Sequence, residues 1–355
     1  MAIAKRRKSR RISYGAVAVG GGAPVSIQSM STFPAASTAY VLEEIEALHR
    51  AGCELIRVSV KDQPDIYALD EICGSSPIPV IADVHFDFNV AVASAGRGVA
   101  GLRINPGNIG GEEGVKKVAE AAADRGIPIR IGVNSGSIES RLRDLYRRSP
   151  ARALCESALG HLDIMERLGF HDLVFSLKSS DPMVTVEANE LFAAGNDYPL
   201  HLGVTEAGPA LSGTARSAVA LTLLLAKGIG DTIRISLSGD PVREVLAASA
   251  LLSALGLRTD MPEIISCPTC GRSWIDVGAI AESLERELLG IRCNLKIAVM
   301  GCEVNGPGEA KEADIGIAGT RSGAVLFKKG EIVRTLTGDI VSSLADEVRV
   351  IVSKE

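Results

Sequence analysis

Aromatic residues are scarce in this 355-residue sequence: Phe, Trp and Tyr make up 4%, with a single Trp. That scarcity argues against an aromatic-lined binding module. The 46% hydrophobic content and 37 glycines fit a closely packed α/β protein instead. Net charge is small too. At −5, the chain lacks the positive balance of a nucleic-acid-binding protein. No apolar run approaches the ~20 residues of a membrane-spanning helix. The one basic run, Lys5 to Arg11, is not followed by the apolar stretch of a secretory leader. The expectation is a cytoplasmic protein with no nucleic-acid or membrane partner, whose residues 1–12 form a basic, disordered tail. Disulfide staples are also excluded: seven cysteines is an odd number, in a chain too large to need them. Under reducing conditions close-set cysteines point to metal or redox chemistry. Cys53, Cys73 and Cys155 have apolar or helical neighbours and read as small buried hydrophobes.

What is present is a rhythm. The length suits two domains. From residue 25, short apolar runs predict strands at 25–30, 55–60, 79–85, 101–105, 127–134, 172–178, 199–206 and 232–237. A helical segment separates each from the next, such as 41–52, apolar at Val41, Leu42, Ile45 and Leu48 and stopped by Gly52. Eight strand–helix units in such a length predict a (β/α)8 TIM-type barrel over 13–260. The competing fold is an open doubly wound sheet. Gly20-Gly21-Gly22 tells against it, because it precedes a strand where a dinucleotide fingerprint links strand to helix.

Polar residues interrupt these strands in a pattern. Arg57, Arg103, Arg130, Lys178 and Arg234 each break or end an apolar run. Asp83, His85, Asn105, Asn134, Glu206 and Ser236 lie at or near C-terminal strand ends. Barrel enzymes build their active sites at that face. Five cations converging there would repel one another unless a polyanion joined them, and Arg forks suit phosphate oxygens. The plainer reading is internal pairing with Asp83, Glu206 and helix carboxylates.

Residues 261–355 read as a second, α+β unit. Cys267-Pro268-Thr269-Cys270 opens it, and Cys302 follows a predicted strand at 295–300. Two metal sites are arithmetically open. A zinc site would use Cys267, Cys270, Cys293 and Cys302, but eight residues separate the last two, where zinc ribbons use two to four. Cys293 also precedes the strand, about 30 Å from Cys302 along extended chain. The alternative is a [4Fe–4S] cluster on Cys267, Cys270 and Cys302 with one exchangeable position. The turn Asn305-Gly306-Pro307-Gly308 can bring Glu309 to that position.

Seven motifs carry a family resemblance: ADVHF from 82, LRINPGNIG from 102, RIGVNSGS from 130, SLKSSD from 176, VTEAG from 204, CPTCGR from 267 and MGCEVNGPGEAKEADIGIAG from 300. In this order, from about residue 13 to the end, they resemble the 4-hydroxy-3-methylbut-2-enyl diphosphate synthases, in their two-domain bacterial form. The resemblance implies an oxidoreductase of the non-mevalonate isoprenoid pathway. Its reaction would convert 2-C-methyl-D-erythritol 2,4-cyclodiphosphate to (E)-4-hydroxy-3-methylbut-2-enyl diphosphate, with single electrons from flavodoxin or ferredoxin. It implies a [4Fe–4S] cluster on Cys267, Cys270, Cys302 and Glu309. Substrate contacts would fall on Arg57, Arg103, Arg130, Asn134, Lys178, Ser236 and Asn305. Glu206, His85 and Glu309 would be catalytic. Glu303 departs from the apolar residue many members carry there. A head-to-tail homodimer is also expected: the last barrel helix should leave the chain at the face opposite the substrate. Two other classes remain open: a zinc-stabilised phosphate-binding barrel of aldolase or epimerase type, and a nonenzymatic iron–sulfur carrier or sensor.

Overall fold

A computed structural model describes residues 4–302 and 310–354. Asn305 and Glu309, and with them Glu303, lie outside the described residues. The chain divides into two compact units after Leu255, five residues before the boundary expected from the sequence.

In the first unit, β-branched and leucine-rich runs form the parallel ring their pattern predicts. Its strands are β3 (Ser26–Met30), β4 (Leu55–Val60), β5 (Val80–Val84), β6 (Gly101–Ile104), β7 (Ile129–Asn134), β8 (Leu173–Lys178), β9 (His201–Leu202) and β10 (Thr232–Ile233). The ladder runs β8-β7-β6-β5-β4-β3-β10-β9, and Phe175 bridging Leu200 completes the ring. β9 and β10 are shorter than predicted, since the chain beyond Leu202 and Ile233 leaves the ladder to carry loop residues.

The sequence reading missed a hairpin, β1 (Ile12–Tyr14) with β2 (Val17–Val19). It packs Ile12, Tyr14 and Val19 against Leu55, Ile81 and Val174, near the start of the barrel strands. The N-terminal end is thereby plugged with apolar side chains. The three glycines after it are a turn: all have positive φ, and a Cβ on Gly20 would collide with the Arg10 carbonyl.

The basic run expected as a disordered tail lies instead on the barrel. Ala4 N donates to Ala226 O at 2.8 Å and Arg10 N to Asp197 O at 2.7 Å. The anchor is Asp231, 2% exposed, which takes Arg6 at 2.9 Å, Ser9 Oγ at 2.8 Å and Leu200 N at 2.9 Å. A charge block stays solvated only when no buried carboxylate is within reach, and one is here. Asp231→Ala should cost about 3 kcal/mol, because it strands the Leu200 amide and the guanidiniums of Arg6 and of Arg7, the latter 3.7 Å away. It should also expose the run to trypsin; an unchanged digestion pattern would contradict the anchor.

The second unit is a five-stranded sheet. Its strands are β11 (Glu263–Ser266), β12 (Lys296–Met300), β13 (Ile315–Thr320), β14 (Gly323–Lys328) and β15 (Glu331–Leu336), in sequence order. The first three are parallel and the last two antiparallel. Helices Val277–Glu287 and Ile340–Val352 bury Leu284, Leu344 and Val348 against Ile297, Val299, Ile315 and Ile317. No described helix in either unit is long and apolar enough to cross a membrane.

Candidate active site

Each barrel strand, or the loop that follows it, lines one cavity of about 230 Å³ at the C-terminal end. Met30 comes from β3, Arg57 from β4, Asp83 from β5, Arg103 from β6, Asn134 from β7, and Ser176 and Lys178 from β8. Thr205, Arg234 and Ser236 follow β9 and β10, and His85 follows β5. The register explains the convergence. Asp83 pairs with Arg103, and Arg103 with Arg130, so three adjacent strands point these side chains the same way. Arg130 is buried and is not among the residues that line the cavity.

Two carboxylates serve five cations. Asp83 holds Arg57 at 3.3 Å and Arg103 at 3.1 Å. Glu244, on the helix after β10, holds Arg234 at 3.1 Å and also accepts from Leu237 N and Ser29 Oγ. Arg130 bonds Gln28 Oε1 through Nη1, while its Nε and Nη2 have no partner among the described residues. Lys178 has no ion pair among them either. Internal pairing therefore accounts for three of the cations, and an excess of three positive charges remains.

The protonation behaviour follows. Burial pushes Lys178 well below the ordinary lysine range, and Arg130, Arg57, Arg234 and Arg103 add to it. Burial brings Arg130 down to about 10. For Asp83 burial acts upward, but Arg57, the neighbouring His85 ring and Arg103 outweigh it, and the carboxyl lies far below its usual range. Two glycines make room for the cations. A Cβ on Gly132 would lie 2.5 Å from Arg103 Nη2, and one on Gly203 2.9 Å from Lys178 Nζ.

A wider cavity of about 690 Å³ shares His85, Arg103, Asn134 and Thr205, and adds Asn105, Glu139 and Glu206. Two of its residues, Phe86 at φ 71° and Glu206 at φ 52°, adopt left-handed backbone without being glycine. Strain of this kind gathers at functional loops. His85 Nε2 lies 2.7 Å from Arg103 Nη1. Because a guanidinium only donates, that nitrogen accepts and the ring's own proton sits on Nδ1.

In the second unit, Cys267, Cys270 and Cys302 line a single pocket of about 130 Å³. β11 and β12 are parallel neighbours, with Ser266 opposite Val299, so Cys267 and Cys302 emerge at the same sheet end. Gly301 N donates to Cys267 Sγ at 3.2 Å. The Arg272 backbone N–H, and after it the Arg272 side chain, draw the Cys270 thiol below its usual value. Cys293 precedes β12 and is buried in the helix–sheet core. It does not line the pocket, and the four-cysteine zinc site is not favoured. Three soft sulfur donors at one sheet end fit an iron–sulfur centre. No group of three or more His, Cys, Asp or Glu among the described residues stands in ligating geometry.

Comparison with known proteins decides the family. Models described as the GcpE TIM-barrel domain and the GcpE protein C-terminal domain match residues 9–249 and 263–350. The 4-hydroxy-3-methylbut-2-en-1-yl diphosphate synthase (flavodoxin) of Geobacter sulfurreducens is 50% identical, over 99% of each chain. That of Acidothermus cellulolyticus is 50% identical over 97% of this chain and 89% of its own. The chain belongs to the 4-hydroxy-3-methylbut-2-en-1-yl diphosphate synthase family. As a member of this synthase family it is an enzyme, an oxidoreductase. Solved structures add the barrel alone. Yersinia pestis dihydropteroate synthase superposes with TM-score 0.52 at 12% identity, covering 70% of this chain and 98% of its own. A truncated 3-deoxy-D-arabino-heptulosonate 7-phosphate synthase from Thermotoga maritima gives 0.50 at 13%, covering 70% and 94%.

Measured against the synthase-family expectations, the structure brings Arg57, Arg103, Asn134, Lys178, Ser236 and His85 to one cavity. Glu206 lines the wider cavity beside it, and Arg130 is buried outside both linings. Sequence reasoning missed Gln28, Met30, Ser176, Thr205, Glu244 and His201. Gln28 and Met30 were legible in principle, being two apart on β3 where alternate residues face inward. His201 is fully buried, and neither ring nitrogen has a partner among the described residues. Burial, then Lys178 and the arginines, keep it well below its usual value.

Proposed function

We propose that the cationic cavity binds 2-C-methyl-D-erythritol 2,4-cyclodiphosphate. The chain opens that ring reductively and removes a hydroxyl, giving (E)-4-hydroxy-3-methylbut-2-enyl diphosphate. The balance is two electrons and two protons taken up, one water released. What carries the reading is the excess of three positive charges among the strand-borne cations at and behind one cavity: Lys178 lines it, Arg130 is buried outside the lining, and neither has a carboxylate partner among the described residues. A cyclic diphosphate supplies the missing anions, and Arg forks meet its oxygens two at a time.

Arg57, Arg103 and Arg234 are already held by Asp83 and Glu244, so their forks are oriented before the substrate arrives. Lys178 gains its counter-charge from the diphosphate itself, and Arg130, buried outside the lining, adds its charge to the field there. Glu206 lines the wider cavity with no partner among the described residues and is the candidate group for proton delivery to the departing hydroxyl. His85 accepts from Arg103 at Nε2 and serves to orient that fork. Asn134 and Ser236 supply neutral hydrogen bonds at the rim, and Asn305 is a further expected contact.

Cys267, Cys270, Cys302 and Glu309 would hold the [4Fe–4S] cluster. When bound, it supplies electrons one at a time, received from flavodoxin or ferredoxin. In a (β/α)8 barrel the helix after a strand runs antiparallel to it, so helix Pro241–Ala254 would end the barrel unit at the face opposite the cavity. A head-to-tail homodimer in the cytoplasm, each cluster unit serving its partner's barrel, belongs to the same proposal. A monomer with full turnover would refute that part.

Anaerobic turnover of the cyclic diphosphate by cluster-loaded protein with dithionite is the direct test. A fully loaded protein without turnover would sink the reading. Cys302→Ser should abolish the cluster's visible absorbance. Cys293→Ala should keep it, at a cost of about 1 kcal/mol of stability for the buried side chain. Loss of absorbance in both variants equally would return Cys293 to the ligand set.

A further inference from the structure

This inference rests on the proposed function and concerns how electrons reach it. The chain's single Trp, Trp274, is 51% exposed. It belongs to the loop that carries Cys267 and Cys270, and its backbone N–H donates to Gly301 O at 2.8 Å, beside Cys302. Its neighbour Ser273 lines the thiol pocket. Arg321, at the turn between β13 and β14, lies over the indole with its Cζ 5.2 Å from the ring centroid. Arg272 stands beside Cys270, and the run Pro268–Arg272 is exposed throughout. Neither Arg272 nor Arg321 forms an ion pair among the described residues.

One exposed aromatic is ordinary on a protein surface. This one differs in three respects. It carries a stacked guanidinium, a composition typical of interface anchors. It is two residues from Arg272, an exposed Arg with no carboxylate partner among the described residues. It is also built into the loop that presents the thiols. The other exposed large hydrophobics of this unit, Ile332, Val333 and Val350, are aliphatic.

We propose that Trp274, Arg321 and Arg272 form the docking surface for an acidic flavin-bearing carrier of the flavodoxin type. Each docking passes one electron from the reduced carrier to the centre held by the three thiols, and the carrier leaves oxidised by one electron. Two dockings supply one turnover, whose protons enter separately at the barrel. Unpaired cations around an aromatic anchor match an acidic partner in charge, and that match sets on-rate and salt dependence.

The test uses full-length, cluster-loaded protein carrying 5-fluorotryptophan, which gives one 19F resonance. Oxidised flavodoxin should shift or broaden that resonance saturably, and salt should weaken the effect. Arg321→Glu should weaken carrier binding about tenfold, and Arg321→Gln by less. The KM for flavodoxin should rise in step, while dithionite-driven turnover stays within about twofold. A resonance indifferent to flavodoxin would overturn the proposal. So would a response to ferredoxin only, or an equal loss of dithionite- and flavodoxin-driven turnover. Absence of dithionite turnover in the wild type would instead count against the proposed function, and the 19F titration would still decide the docking.

Discussion

Replacing Lys178 with Met should nearly abolish turnover and at the same time raise the thermal stability of the substrate-free protein. The two effects have one cause. Lys178 is a buried ammonium without a carboxylate, facing four guanidiniums. In the free enzyme that charge is a cost, and a thioether chain of similar length removes it while keeping the packing. A gain of about 1–3 kcal/mol is expected, or roughly 2–12 °C in Tm. With substrate bound the ammonium meets phosphate oxygens at low dielectric, and its loss should lower kcat/KM by about 10²–10³. The sign with pH follows from linkage. Lys178 is depressed in the folded state, so the unfolded chain binds more protons between the folded value and about 10.4. Wild-type stability therefore gains from this group as pH rises through that window. The advantage of Lys178→Met is full below it and shrinks toward about pH 10. Melting curves from pH 6 to 10 check this. A variant less stable than wild type at pH 7 would mean that Lys178 has a stabilising partner.

The same balance explains how much was legible beforehand. Strand spacing and apolar runs placed the ring, because a parallel strand buried on both faces has to be apolar wherever it is not functional. The interrupting cations were therefore informative: a guanidinium inside an apolar strand has few structural uses. What the pattern did not reveal was depth. Arg103 and Arg130 occupy equivalent strand positions, yet one lines the cavity and the other does not. The missing Cβ of Gly132 makes room for Arg103, Arg130 is instead bonded to Gln28, and neither is visible in composition. Glu244 was hidden because it sits on a helix, where an acidic residue normally faces water; its 3% exposure has to be seen. The docked basic run was misread for a related reason. Its partner Asp231 lies more than two hundred positions away, and local charge density cannot foresee a distant buried carboxylate. Cys293 went the other way: its position before β12 already separated it from Cys302, and the parallel register of β11 and β12 gives the physical reason.

Asp83 carries the heaviest structural load in the site, and Asp83→Asn should show it. The carboxylate neutralises Arg57 and Arg103 and touches the His85 ring at 3.5 Å. The amide keeps the shape, but the uncompensated excess in the barrel rises from three charges to four. Breaking a buried pair from one side strands its partners, so a loss of about 3 kcal/mol is expected, near 6–12 °C in Tm. Inorganic diphosphate should restore more stability to Asp83→Asn than it adds to wild type, since the anion takes over the missing counter-charge. Turnover should still fall, because Arg57 and Arg103 lose the acceptor that orients them and His85 loses a fixed neighbour. The pH signature separates this from a general packing defect. Asp83 is depressed in the folded state, so its contribution is complete above about pH 4 and disappears as pH falls from there toward the folded value. The gap in stability between wild type and Asp83→Asn should be constant from pH 5 to 8 and narrow below about pH 4. A gap that widened in acid, or a variant that diphosphate did not rescue, would mean that the carboxylate does not hold these arginines.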